Sequence, residues 1–203
     1  MADIFYEQGA KPSGPMGKFI GKLMNFAHTG RYRQYFESVN FADNINALDI
    51  GCGGGAFVKY LSKTIKTGKI FGVDHSVEMV TLAKTTNRKA IEQGTVEILR
   101  SSVLNMPFEN DTMDIVTALE TIQFWPRLTD SLKEVFRIVS SRGKFFVINQ
   151  YPQPGTKWFE RVQIKSDSQY DHLLKEAGFD VVKKDLKTHP GWIIIEATKK
   201  AGL

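Results

Sequence analysis

The sequence predicts an α/β fold in three layers. Helices lie on both faces of a mostly parallel sheet, an antiparallel hairpin closes the C-terminal end, and a helical lid precedes the first strand. Three observations predict it. Short apolar runs alternate with amphipathic helical patterns through most of the 203 residues, as expected where strands are buried on both faces and linked by helices. A glycine-rich turn, Gly51 to Gly55, follows the first of those runs. The last two β-rich runs are joined by "KTHPG", whose Pro190 and Gly191 favour a turn.

In chain order, "GPMGKFIGKLMNFAHTGRYRQYFESVNF" comes first, with Met16, Phe19, Ile20, Leu23, Met24 and Phe26 at helical spacing. It predicts a helix that flanks the sheet or folds over its C-terminal edge as a lid, with Gly14, Gly17, Gly21 and Gly30 permitting movement. The strands follow as "NALDI", "KIFGV", "VEILR", "MDIVTA", "KFFVIN", "FDVVKKDL" and "WIIIEAT". Between them, "AFVKYLSKTI" sets Phe57, Val58, Leu61 and Ile65 on one helical face. "SVEMVTLAKTTNRKAIEQG" starts at an N-cap, Ser76, and stops at Gly94. "LTDSLKEVFRIV" groups Leu128, Leu132, Val135, Phe136 and Val139. The expected order is five βα units, a last helix in "DSQYDHLLKEAGF", and then the hairpin.

Composition narrows the function. A chain with 42% hydrophobic and 24% charged residues builds an ordinary hydrophobic core. Its single cysteine, Cys52, forms no internal disulfide, which points to a cytoplasmic setting. The N-terminus, "MADIFYEQGAKPSG", does not read as a secretory signal. No apolar run approaches the roughly 20 residues of a membrane span, so no membrane partner is expected. The net charge of +5 invites a nucleic-acid partner, but the basic residues are interspersed with acids and form no tract interleaved with aromatics.

The chemistry gathers around "NALDIGCGGGAF". Glycines directly after a strand let the main chain turn tightly and approach a ligand without side-chain obstruction. Gly51, Gly53 and Ala56 also satisfy the dinucleotide spacing G-x-G-x-x-G/A loosely. Asp49 argues against that ligand, because a carboxylate at the mouth of the turn repels a diphosphate and attracts a cation. Asp74, which ends the next strand, suits the hydroxyls of a ribose. Two acids and no Arg or Lys in the turn point to a nucleoside that carries positive charge, a description that S-adenosylmethionine meets.

These stretches resemble the class I S-adenosylmethionine-dependent methyltransferases over most of the chain. "LDIGCGGGAF" is similar to the family's first motif and "IFGVDHSVEMVTLAK" to its second. "SSVLNMPFENDTMDIVTALETIQFW" resembles the segment from the adenine loop through the fourth strand. "LKEVFRIVSSRGKFFVIN" resembles the helix, turn and fifth strand, and "LLKEAGFDVV" with "GWIIIEATKK" the closing helix and hairpin. The resemblance implies a Rossmann-like three-layer α/β/α sandwich with a seven-stranded sheet in the order 3-2-1-4-5-7-6. It also implies one domain over residues 1–203, with a helical lid or flank at 1–45 and the core at 46–203.

By the same resemblance, Gly51, Gly53 and Gly55 wrap S-adenosylmethionine, with Cys52 among them as a small buried residue rather than a nucleophile. Asp49 lies near the methionine portion, Asp74 holds the ribose, and His75 packs near the adenine. Many members have an acid before a small residue to bind the adenine amino group, whereas this chain has Ser102 and Val103. Adenine binding then rests on the Val103 amide and on packing by Met79 or Met106. The main chain at Leu119 meets the amino-acid moiety, and Glu120, Gln123 and Trp125 face the substrate.

Methyl transfer from a sulfonium is an in-line displacement, so alignment and desolvation carry the rate. A base is needed only when the acceptor must lose a proton, and Glu120 and His28 are the candidates. "ALETIQFW" lacks the Asn-Pro-Pro-Tyr type of motif used on base or amide nitrogens, which favours a small-molecule acceptor held between the lid and "ETIQFW". No metal is expected, since His28, His75, His172 and His189 lack ligand spacing. The competing readings are a cofactor-binding module without methyl transfer, a nicotinamide-dependent oxidoreductase, and a nucleic-acid methyltransferase.

Overall fold

The structure is a computed structural model and describes residues 32–188 and 190–199. His28 and the apolar series from Met16 to Phe26 lie outside the described residues, as does His189 in the hairpin turn. The chain divides between Ser102 and Val103 into two compact units. Strand order across the seven-stranded sheet is β3-β2-β1-β4-β5-β7-β6.

The first unit contains β1 (Ala47–Ile50), α1 (Ala56–Thr64), β2 (Ile70–Asp74), α2 (Val77–Thr86), α3 (Arg88–Glu92) and β3 (Val96–Arg100). β2 pairs in parallel with β1 on one side, Asp49 opposite Gly72, and with β3 on the other, Gly72 opposite Ile98. The four residues of β1 are all buried, which is why they read as an unbroken apolar run ending in an acid. Phe57, Val58, Leu61 and Ile65 are buried together, as their spacing predicts. A helical segment at 32–36 brings Phe36 against Phe57, with ring centroids 4.9 Å apart, and Arg33 over the Tyr60 ring. This part of the expected N-terminal flank therefore packs on α1.

The second unit contains β4 (Met113–Leu119), a 3₁₀ turn (Ile122–Phe124), α4 (Leu128–Ile138), β5 (Val139–Gln150), α5 (Lys157–Arg161), α6 (Asp167–Glu176), β6 (Asp180–Asp185) and β7 (Trp192–Thr198). β4 and β5 are parallel, and β7 lies antiparallel to both β5 and β6. The closing hairpin is as the turn chemistry predicts. The core of this unit stacks Trp125 on Phe145, tilts Phe145 against Phe179 and sets Phe179 edge-on to Phe136.

Three expectations need correction. The expected five βα units are four, because residues 101–112, between β3 and β4, contain no helix. The expected single helix from Ser76 to Gly94 is two, because Asn87 ends α2 and precedes α3. The fifth strand begins at Val139, directly from α4, with a register shift opposite Met113 and Ile115, rather than at Lys144.

Candidate functional site

The turn after β1 is built almost entirely from main chain. Gly51 and Cys52 both donate to the Val73 carbonyl of β2, at 2.8 and 3.0 Å, and Gly55 donates back to Cys52. Gly51, Gly53 and Gly55 have φ of 71°, 51° and 77°, a left-handed conformation that side chains resist. The turn delivers the chain into α1 with Gly55 as N-cap and no side-chain cap.

The glycines divide the work. A Cβ at Gly53 would meet nothing within 4 Å, whereas one at Gly55 would lie 2.5 Å from Asn87 Nδ2 and 2.9 Å from Ala83 Cβ. Gly53 thus exposes main chain to a space a ligand can fill, while Gly55 lets α2 pack against the turn. Asn87 is the reason. Its Nδ2 donates to the carbonyls of Gly55 and Ala83, each at 2.9 Å, with the residue only 2% exposed. Sequence reasoning missed it, because Asn87 sits within a helix-forming stretch and its partner Gly55 is 32 residues earlier.

Asp74, at the end of β2, ties this turn to the next. Its Oδ2 accepts from the Gly53 amide and its Oδ1 from the Ser76 amide, both at 2.9 Å. Burial raises its pKa above the usual carboxylate value, opposed by these amide hydrogen bonds and by His75, whose Nδ1 lies 3.6 Å from Oδ1. The His75 amide bonds it as well, and since an ionised carboxylate offers about four acceptor positions, these three amides leave it able to accept one more. Ser76 caps α2 by accepting from the Met79 amide, which sets buried Met79 in the first turn. Asp49 is buried as well, at 3% exposure. Burial, followed by the charges of Asp74 and Asp49, pushes the Cys52 thiol well above its ordinary pKa. It stays protonated, which fits a packing residue and opposes a nucleophile. Asp49, Gly51, Cys52, Gly53, Gly55, Asp74, His75 and Met79 therefore all belong to the C-terminal ends of two adjacent strands and the turns that follow them. Ser102, the last residue of this unit, is exposed.

In the second unit, Val103 and Met106 are buried. Leu119 ends β4 opposite Ile148, and Glu120 follows it with φ of 59°, its amide donating to the Ile148 carbonyl at 2.7 Å. A left-handed glutamate is strained. Gln123 is committed to the protein: its Nε2 donates to the Ile164 carbonyl and the Tyr170 hydroxyl, and its Oε1 accepts from the Ile164 amide. Asn149 also donates to Tyr170, and Gln163 donates to the carbonyls of Gln123 and Trp125. Trp125 is buried against Phe145, while half-buried Trp158 of α5 lies edge-on to Phe124. Among the described residues, no group of three or more His, Cys, Asp or Glu is arranged to hold a metal, and no helix is long and apolar enough to cross a membrane.

Residues 48–147 match the family described as "Methyltransferase domain". The chain is 26% identical to cycloartenol-C-24-methyltransferase 1 of Oryza sativa subsp. japonica over 92% of its own length and 59% of that protein. It is 27% identical to a demethylmenaquinone methyltransferase of Lactococcus lactis, over 78% of this chain and 69% of the relative. The chain thus spans between half and three quarters of these relatives. Among solved structures, a SAM dependent methyltransferase from Aquifex aeolicus shares the fold with a TM-score of 0.77 and 20% identity, over 89% of this chain and 97% of that one.

Proposed function

We propose that this chain, whose residues 48–147 match the methyltransferase-domain family, is a class I S-adenosylmethionine-dependent methyltransferase that binds S-adenosylmethionine at the turn after β1 and methylates a small-molecule acceptor. The observation that carries the reading is the link between Asp74 and Gly53: a buried carboxylate holds the open main chain of a glycine turn that contains no Lys or Arg. The donor set fits the cofactor. Asp74 retains acceptor capacity for a ribose hydroxyl, Gly53 leaves room beside its main chain, and Asp49 supplies negative charge for a cationic ligand.

When bound, S-adenosylmethionine supplies an electrophilic methyl group on a sulfonium. The protein's part is orientation and exclusion of water. In the first unit Asp74 would hold the ribose end and Met79 would pack near the adenine; in the second, the Val103 amide and Met106 are the candidates for the adenine. Leu119 contributes its main chain to the amino-acid end. Glu120, whose amide donates a hydrogen bond to the Ile148 carbonyl, accepts a proton from an acceptor that must lose one, with His28 as the alternative base. Gln123 supports the acceptor side from behind, since its side chain is spent on Ile164 and Tyr170 and its carbonyl on Gln163. Trp125 forms the buried wall behind it. The relatives named above for cycloartenol and demethylmenaquinone, both small molecules, support this acceptor class. We place the protein in the cytoplasm, acting as one domain.

Calorimetric titration with S-adenosylhomocysteine tests the cofactor reading. Asp74→Ala removes a charge-assisted acceptor of about 1.5 to 3 kcal/mol, so affinity should fall roughly tenfold to a hundredfold. Unchanged affinity in a folded variant overturns it.

A further inference from the structure

The loop between β3 and β4 contains no helix, yet it buries Val103 and Met106. Its shape is imposed from α4. Arg137 Nε donates to Glu134 Oε2 at 2.7 Å, Nη2 donates to Glu134 Oε1 and the Met106 carbonyl, and Nη1 donates to the Phe108 carbonyl and Asn110 Oδ1. All five donors of the guanidinium are thus committed. Glu134 Oε1 also accepts the Met106 amide at 2.7 Å. Both main-chain polar groups of Met106 are therefore held by one i, i+3 pair on a helix. The last turn of α4 adds the carbonyls of Arg137 and Ile138, which accept from the amides of Asp111 and Thr112.

We propose that Glu134 and Arg137 are positioning residues for cofactor binding: they clamp residues 106–110 so that Val103 and Met106 are set in advance for the adenine. The inference rests on the cofactor reading above. A loop without a helix or a ladder strand must be ordered when it binds, and ordering it beforehand removes that cost from the binding step. The need is greater here because Ser102 offers the adenine no carboxylate, leaving a main-chain amide and apolar packing to hold the base. The electrostatics agree with the geometry. Burial draws the Glu134 carboxyl upward, but the Arg137 and Met106 hydrogen bonds outweigh it and hold the carboxyl below its usual range. The bond to Glu134 raises Arg137 further. Lysine keeps the charge but has three donors at one point and no planar fork, so it is no substitute.

The test compares Arg137→Lys and the milder Glu134→Gln with a control, Glu196→Gln, which breaks the Lys144–Glu196 pair between β5 and β7 in the same unit. S-adenosylhomocysteine affinity is measured by calorimetry, stability by thermal denaturation, and turnover with any acceptor that supports it. Arg137→Lys should weaken binding about tenfold and Glu134→Gln several-fold, each raising KM for S-adenosylmethionine with kcat unchanged at saturation, as expected when binding common to ground and transition states is lost. Glu196→Gln should lower Tm and leave affinity alone. Affinity within twofold of the parent in both clamp variants, or an equal loss in Glu196→Gln, overturns the clamp while leaving the cofactor site intact. Failure of the parent protein to bind S-adenosylhomocysteine overturns both.

Discussion

The turn after β1, in the first unit, and the turn after β4, in the second, are built by opposite means. The first is main chain: three left-handed glycines held from outside by Asp74 and Asn87. The second is side chain: a left-handed Glu120, then Gln123, Tyr170 and Asn149 locked in a buried amide and hydroxyl network, with exposed Gln163 reaching in to the Gln123 carbonyl. Under the proposed function, the difference follows from what each turn would receive. A turn that wraps one invariant cofactor can present amides and carbonyls, which no substitution alters. A turn that meets an acceptor peculiar to one enzyme must present side chains, and those need their own support.

The sharpest way to break this comparison lies within the glycine turn. Gly55→Ala puts a Cβ 2.5 Å from Asn87 Nδ2 and 2.9 Å from Ala83 Cβ at φ of 77°. A left-handed alanine costs about 1 to 2 kcal/mol, and overpacking a rigid site adds about 1 to 3 kcal/mol more. Gly53→Ala carries only the conformational cost, since its Cβ meets nothing within 4 Å. Thermal denaturation should therefore show a much larger drop for Gly55→Ala, whereas calorimetry with S-adenosylhomocysteine should show Gly53→Ala losing affinity out of proportion to stability. Equal stability losses would mean that the two glycines do the same job.

Next in size comes Tyr170→Phe in the second turn. It removes the acceptor shared by Gln123 Nε2 and Asn149 Nδ2, leaving buried donors unsatisfied at a cost of about 1 to 3 kcal/mol. Stability should fall, turnover should fall through disturbance of the Glu120–Trp125 segment, and cofactor affinity should hold. Loss of cofactor affinity in step with turnover would erase the distinction between the turns.

The same contrast explains what the sequence disclosed. The main-chain turn was legible because its signals are local: glycines on a strand end, an acid before them, and Asp74 closing the next strand. Strand positions and the final hairpin were legible for the same reason, since apolar runs and turn residues act over a few positions. The side-chain supports were not. Gln123 and Ile164 are 41 residues apart, Met106 and Glu134 are 28, and Gly55 and Asn87 are 32, so each pairing depends on the finished fold. The absent helix between β3 and β4 belongs here too, because that loop is shaped by Arg137 rather than by its own pattern. Gln123 and Trp125 were expected at the substrate from the family resemblance, and the structure gives their side chains bonding and packing roles that local sequence does not carry.

The β6–β7 turn provides a reference, since it is held by a side chain and serves no ligand in this scheme. The Asp185 carboxylate accepts from the Thr188 hydroxyl and from the amides of Thr188 and Lys187, bonds that together hold its pKa down at about 2 against an ordinary value of 3.8. A depressed carboxylate stabilises the fold above its unfolded pKa and loses that contribution as pH falls through the folded value. Tm of the parent should therefore decline more than that of Asp185→Asn between about pH 4 and 2, a small effect because the group is exposed. Asp167, held low by Lys184, titrates in both proteins and cancels in the comparison. At neutral pH the substitution should leave S-adenosylhomocysteine affinity unchanged. A turn that lowered affinity on losing its carboxylate would have to be counted with the ligand-bearing turns, and the contrast between main-chain and side-chain construction would no longer map onto cofactor and acceptor.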